Sequence, residues 1–149
     1  MVWRPRFWTN GAVKTFFDSS AFAKRYLEEA GSAAVESLCL AASDLAVCVI
    51  CVPEILSALN RRVRERHISS SDYLLLKGHL LDDLRDAAIV DLTPAVIAGT
   101  VEVLEAAPLR AADAMHVAAA LAWEADLFVS ADHRQLAAAR AAGLEVKPA

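Results

Sequence analysis

The chain has 149 residues, 56% of them hydrophobic and 23% charged, which suits one globular domain with its own core and excludes a disordered segment. Its net charge of −4 has the wrong sign for holding nucleic acid by bulk electrostatics, so an RNA or DNA ligand requires a local reversal of the field. No apolar run approaches the roughly 20 residues of a membrane-spanning helix, and residues 1–10, with arginines and two tryptophans, lack the apolar stretch of a signal peptide; a cytoplasmic protein is expected.

Short strands alternate with amphipathic helices along the sequence, the pattern of a parallel sheet covered on both faces. The first strand is expected over residues 14–18, ending in Phe16-Phe17-Asp18, with a helix over 21–27 that Gly31 breaks. A helix over 32–42 leads into a second strand at 46–51. Pro53 fits the first turn of the next helix, where its missing N–H costs nothing, and that helix runs to about His67. Ser69-Ser70-Ser71-Asp72 is a capping run that restarts a helix to about Asp86. A third strand follows at 88–92, and Thr93-Pro94 opens a helix ending near Pro108. The alanine-rich stretch 111–125 is strongly helical, 127–130 is a fourth strand, 131–142 is a helix closed by Gly143, and 144–146 is a short fifth strand. Residues 1–12 look unlike the rest and are expected to form an extension outside a single domain at 13–149.

Cys39, Cys48 and Cys51 make no disulfide framework. Cys48 and Cys51 read as C-x-x-C, but within the apolar run 47–51, and a redox pair wants a helix N-terminus to lower a thiol pKa. On a strand, residues three apart point to opposite faces. Buried small hydrophobes are therefore expected.

In open α/β sheets, ligands bind beyond the carboxyl ends of the strands. Asp18 ends the first strand, Glu54 opens the helix after the second, Asp132 lies two residues past the fourth, and Asp113 sits in the first turns of the helix leading to the fourth. Carboxylates gathered at one edge repel and raise one another's pKa unless a cation neutralises them. Hard oxygen ligands favour magnesium or manganese, and such an ion activates water against a phosphodiester. Taken singly, Asp18, Glu54 and Asp132 stand where a helix N-cap or the helix dipole would welcome any acid. Asp113 differs, because its segment is otherwise nearly all apolar and burying a free carboxylate is costly.

Phe16-Phe17-Asp18-Ser19-Ser20-Ala21-Phe22-Ala23-Lys24-Arg25-Tyr26 resembles the opening strand and helix of VapC-like PIN domains. Val52-Pro53-Glu54-Ile55 is similar to the second acidic motif, Leu109-Arg110-Ala111-Ala112-Asp113-Ala114-Met115-His116 to the third, and Val129-Ser130-Ala131-Asp132 to the fourth. The resemblance runs from about Lys14 to Val146. It implies a three-layer α/β/α fold around a central parallel sheet of four to five strands, Mg²⁺ or Mn²⁺ at the carboxylates, and endonucleolytic cleavage of RNA by a toxin of a toxin–antitoxin pair. It gives Asp18, Glu54, Asp113 and Asp132 the metal-binding and catalytic roles, with Ser19 and Ser130 helping to order the site. It further implies an antitoxin that covers the groove, and a homodimer.

His116, three residues after Asp113, shares its helix face and is expected to be a packed or hydrogen-bonded histidine rather than a ligand. Arg110 can pair with Asp113 or contact phosphate. The basic run 60–67 is expected to be a solvated helix face, and Lys24 and Arg25, just past Asp18, are the expected phosphate contacts. A receiver-like phosphoacceptor domain is the main alternative, with Asp91 ending the third strand and Lys147-Pro148 after the fifth; it leaves Glu54 and Asp113 unexplained. A haloacid-dehalogenase-like phosphatase needs D-x-D where the chain has Asp18-Ser19-Ser20, and a dinucleotide-binding domain needs glycines that are absent there. A catalytically inactive PIN-like binding module is the remaining alternative, against which four intact acidic positions stand. The expected function is that of a metal-dependent endoribonuclease.

Overall fold

Side chains on a strand point alternately to its two faces, and the buried residues here divide that way. The computed structural model describes residues 13–149, so the expectation for residues 1–12 lies outside it. Five strands, β1 (Lys14–Phe17), β2 (Asp44–Cys48), β3 (Ala88–Val90), β4 (Leu127–Ser130) and β5 (Glu145–Pro148), form one sheet in the order β3-β2-β1-β4-β5. Every neighbouring pair is parallel. Phe16, Ala46, Cys48 and Phe128 face one core, while Phe17, Leu45, Val47 and Val129 face the other. Phe16 and Phe128, partners across β1 and β4, stack at 5.9 Å between ring centroids.

Helices cover both faces. α1 (Ser19–Phe22), α2 (Ser32–Ala41), α3 (Cys51–Arg64) and α4 (Ser70–Arg85) pack on the side of Phe17, and α5 (Pro94–Ala106), α6 (Ala111–Ala122) and α7 (His133–Ala141) on the side of Phe16. This is the three-layer α/β/α arrangement around a five-stranded parallel sheet. The alanines of α6, Ala114 and Ala118–Ala120, are buried without side-chain bulk and let that helix lie close on the sheet. The capping run works as expected: Ser69 accepts from the N–H of Asp72, whose carboxylate accepts from the N–H of Ser69. Gly143 follows α7 at φ 101°, a left-handed conformation that favours glycine.

Several boundaries differ from expectation: β3 stops at Val90 rather than residue 92, β5 spans Glu145–Pro148 rather than 144–146, and three more lie beside the sheet edge. Capping by Asp18 starts α1 at Ser19 rather than Ala21, and the helix tightens into a 3₁₀ turn at Ala23–Arg25. β2 ends at Cys48, and α3 begins at Cys51, with Pro53 still among the first four residues whose N–H groups need no helical partner. Cys51 thus sits on a helix N-terminus, and strand geometry does not separate it from Cys48. Both thiols are nonetheless free and buried, and burial pushes each above its ordinary range, which leaves little nucleophilic thiolate.

The sheet order also decides against the receiver-like alternative, whose doubly wound sheet runs 2-1-3-4-5. Here the strand order reverses between β1 and β4. The crevice therefore opens beyond Phe17 and Ser130, where Asp18 and Asp132 follow.

Candidate active site

All four sequence-predicted acids occupy helix N-termini at this edge. Asp18 and Asp132 are the N-caps of α1 and α7, accepting from the N–H groups of Ala21 (2.9 Å) and Arg134 (2.8 Å). Glu54 and Asp113 lie in the first turns of α3 and α6. Capping and site formation coincide, because the partial positive charge of a helix N-terminus favours an acid at each position.

Asp18 is the buried centre, 1% exposed. Its backbone N–H donates to Val129 O at 3.1 Å, fixing it to the end of β4. Ser130 Oγ donates to Oδ2 at 2.7 Å, and Ser20 Oγ lies 2.8 Å from both carboxylate oxygens while accepting from the N–H of Ala131. Among the described residues, no lysine, arginine or histidine forms an ion pair with Asp18. Burial raises its carboxyl above the ordinary value, and the hydrogen bonds from Ala21, Ser130 and Ser20 and the electrostatic pull of His116 offset only part of that rise.

Glu54 is anchored differently. Ser19 Oγ donates to its Oε1 at 2.8 Å, and His116 Nε2 lies 2.6 Å from the same oxygen. Burial pushes this carboxyl up, but His116, Ser19 and Arg110 together outweigh it and hold Glu54 below its ordinary value. Asp113 accepts from Gln135 Nε2 at 3.0 Å and stands 3.6 Å from Arg110 Nε. Thus Ser19 and Ser20 tie the start of α1 to α3, α6 and the β4–α7 connection, and the four acid-bearing segments meet in one hydrogen-bonded patch. No three of the described histidine, cysteine, aspartate and glutamate side chains by themselves form a cage for a metal ion.

A groove of about 970 Å³ opens beside this patch, lined by Ser19, Ser20, Glu54 and the cations Lys24, Arg61, Arg62, Arg64 and Arg110. The expectation about phosphate contacts is corrected here. Arg25 is buried, paired with Asp83 and Glu36, and has no access to a ligand. Lys24 lines the groove, but its ammonium donates to the carbonyls of Ala30 (2.6 Å) and Ala149 (3.1 Å). The basic run on α3 is a solvated face as expected, with Arg61 and Arg64 exposed, and it also supplies three of the groove's arginines. Ser20 and Gln135 escaped sequence reasoning. A second serine after Asp18 and a glutamine three residues past Asp132 on the same helix face were their only signals.

The structure therefore defines a doubly wound α/β domain with an acidic, hydroxyl-lined edge at its topological switch point. The profile of the PIN domain family matches residues 15–141. The chain is 32% identical over 136 residues to "Ribonuclease VapC45" of Mycobacterium tuberculosis, covering 90% of this chain and 94% of that protein. It belongs to the PIN domain family, with its kinship among the VapC proteins. Two solved structures share the fold at low identity. Mycobacterium tuberculosis VapC20, described as a sarcin–ricin loop cleaving toxin, superposes with a TM-score of 0.66 at 16% identity, covering 87% of this chain and 95% of that one. A chain of a toxin–antitoxin complex from Klebsiella pneumoniae gives 0.62 at 13% identity, covering 83% and 90%. No helix among the described residues is long and apolar enough to cross a membrane.

Proposed function

We propose that this chain is a metal-dependent endoribonuclease acting in the cytoplasm as the toxin of a toxin–antitoxin pair. The observation that carries the proposal is Asp18: a buried carboxylate held by neutral hydroxyls and one backbone N–H, without a cationic partner among the described residues, beside an arginine-lined groove. A structural acid with this burial would be paired, since an uncompensated buried charge is expensive. The ribonuclease name of the 32%-identical relative supports the same activity.

The donor set fits a divalent cation. Asp18, Glu54, Asp113 and Asp132 offer only hard oxygen ligands, and Mg²⁺ typically keeps several waters and takes one or two protein carboxylates together with substrate phosphates. Mn²⁺ takes the same ligands. When bound, the ion would lower the pKa of a coordinated water and neutralise charge on the scissile phosphate. The chain's own contribution is preorganisation. Ser130 and Ser20 fix the Asp18 carboxylate, Ser19 and His116 fix Glu54, and Gln135 fixes Asp113. Arg61, Arg62, Arg64 and Arg110 attract the RNA backbone and reverse the overall negative field where it matters. Water attack on phosphorus then forms one P–O bond and releases the leaving oxygen, with no covalent enzyme intermediate.

An antitoxin and a second copy of the chain complete the proposal. The toxin–antitoxin complex of similar fold supports the first. Exposed Ile97, Val101 and Leu104 on α5 and Leu74, Leu75 and Leu81 on α4 supply apolar surface for partners to cover. The test is cleavage of total cellular RNA by purified protein with Mg²⁺, with Mn²⁺ and with chelator, alongside Asp113→Asn. Discrete fragments that require metal and vanish in the variant support the proposal, and intact RNA under every metal with a folded protein sinks it.

A further inference from the structure

Helix α6 is apolar along its buried face, with Ala114, Val117, Ala118, Ala119 and Ala120 against the sheet. His116 interrupts that face and is itself 1% exposed. A buried imidazole destabilises the fold unless its polar atoms find partners. Nδ1 is buried and has no hydrogen-bond partner among the described residues. Nε2 meets Glu54 Oε1 at 2.6 Å and Ser19 Oγ at 3.2 Å. A carboxylate accepts and never donates, so the shared proton belongs to Nε2. Among the described residues the ring therefore makes its polar contacts through Nε2 alone, the shortest of them to Glu54 Oε1.

Glu54 has no structural need of that bond. Its side chain is 37% exposed, lines the groove, and stands at a helix N-terminus where the dipole and water would satisfy it. A histidine used merely to fill space would be replaced by an apolar residue at no loss. We propose that His116 is a positioning residue for the reaction, clamping Glu54 through Nε2–H with Ser19 as the second donor. Both donors fall on Oε1, which leaves Oε2 for ligand or solvent and removes the rotational freedom of a long side chain. Outer partners of this kind orient ligating groups, and their loss typically lowers metal affinity or activity by roughly 10- to 100-fold. The inference rests on Glu54 belonging to the ribonuclease site.

The test compares His116→Phe, which keeps a ring and removes the donor, with His116→Gln, whose amide N–H reaches close to the Nε2 position. His116→Phe is expected to lower kcat for RNA cleavage by roughly 10- to 100-fold with KM for RNA unchanged, and His116→Gln to recover most of it. Undiminished kcat in His116→Phe, a loss confined to KM, or a loss that glutamine does not relieve overturns the proposal. A second measurement needs neither a folded phenylalanine variant nor activity. In imidazole ¹⁵N–¹H spectra the His116 Nε2 proton of the wild-type chain is expected far downfield, moving upfield in Glu54→Gln. An unchanged resonance overturns the clamp. A chain that cleaves no RNA yet shows that shift loses the ribonuclease assignment and keeps the His116–Glu54 clamp.

Discussion

Asp18 and Asp83 are both buried aspartates, 1% and 3% exposed, and the protein treats them in opposite ways. Asp83, on α4, receives Arg25 Nε at 3.1 Å and Nη2 at 3.2 Å in a fork, and the Tyr26 hydroxyl at 2.6 Å. Arg25 also reaches Glu36 at 2.7 Å, and burial, with Asp83 alongside, pushes the Tyr26 phenol well above its ordinary range. This network joins the 3₁₀ turn, α2 and α4, and the Asp83 charge meets its counter-charge, Arg25, within the fold. Asp18 has hydroxyls where Asp83 has a guanidinium. An acid satisfied internally holds a structure together, while an acid left without a counter-charge is available to a cation from outside.

Removing each charge separates the two roles, and Asp18→Asn has the largest expected effect. It should lower RNA cleavage by roughly 100- to 1000-fold, what loss of a key electrostatic group costs a catalytic site. It should also melt at or above the wild-type temperature. The sign follows from linkage. The folded carboxyl of Asp18 lies above its ordinary value of 3.8, so the native state binds the proton more tightly, and ionisation weakens the fold as pH rises from about that value through the raised one. Asparagine removes this loss, so melting temperature should fall less steeply with pH across that window and stay above wild type on its alkaline side. Glu54, held below its ordinary value, acts in the opposite sense: its stabilisation is present at neutral pH and disappears on acidification. An Asp18→Asn variant that melts well below wild type at pH 7 would place Asp18 with Asp83 among the structural acids.

Asp83→Ala should reverse the pattern. Breaking a buried pair leaves Arg25 short of its main partner and costs on the order of 3 kcal/mol, or roughly 10 °C in melting temperature for a domain of this size. Cleavage per folded molecule should be unchanged, and a specific loss of kcat would show that the network reaches the site. A smaller effect is expected at the groove rim. Arg61→Ala combined with Arg62→Ala should raise KM for RNA several-fold and leave kcat alone. The logarithmic salt dependence of binding should fall by about one for each phosphate that an arginine no longer neutralises. An unaltered salt slope would return those arginines to a solvated helix face. The smallest effect is Ser69→Ala, which removes the N-cap of α4 at about 1 kcal/mol, some 2–4 °C, with no change in activity.

Much of this arrangement is legible in the residues themselves. The alternation of Phe16 and Phe17 sets the two faces of β1, Thr93-Pro94 and Ser69 open their helices, and the acids Asp18, Glu54, Asp113 and Asp132 stand at helix starts because strand ends and caps are local features. The order of the four motifs points to the PIN domain family, which the profile match shows. The end of β2 falls three residues before the position the sequence suggests, because 47–51 is apolar throughout and an apolar run does not mark where a strand gives way to a buried helix start.

What the tertiary structure alone decided is partnership. Ser19 meets Glu54 across 35 residues and Ser130 meets Asp18 across 112, distances at which no local pattern carries information. The sequence favours Arg25 over Arg62 as a phosphate contact, yet Arg25 is buried against Asp83 and Arg62 lines the groove. The sequence by itself determined where each charge sits along a helix or strand, since propensity and capping act within a few residues. Only the packing of α1, α3, α6 and α7 around the ends of β1 and β4 decided that buried Asp83 meets an arginine while buried Asp18 has no cationic partner among the described residues.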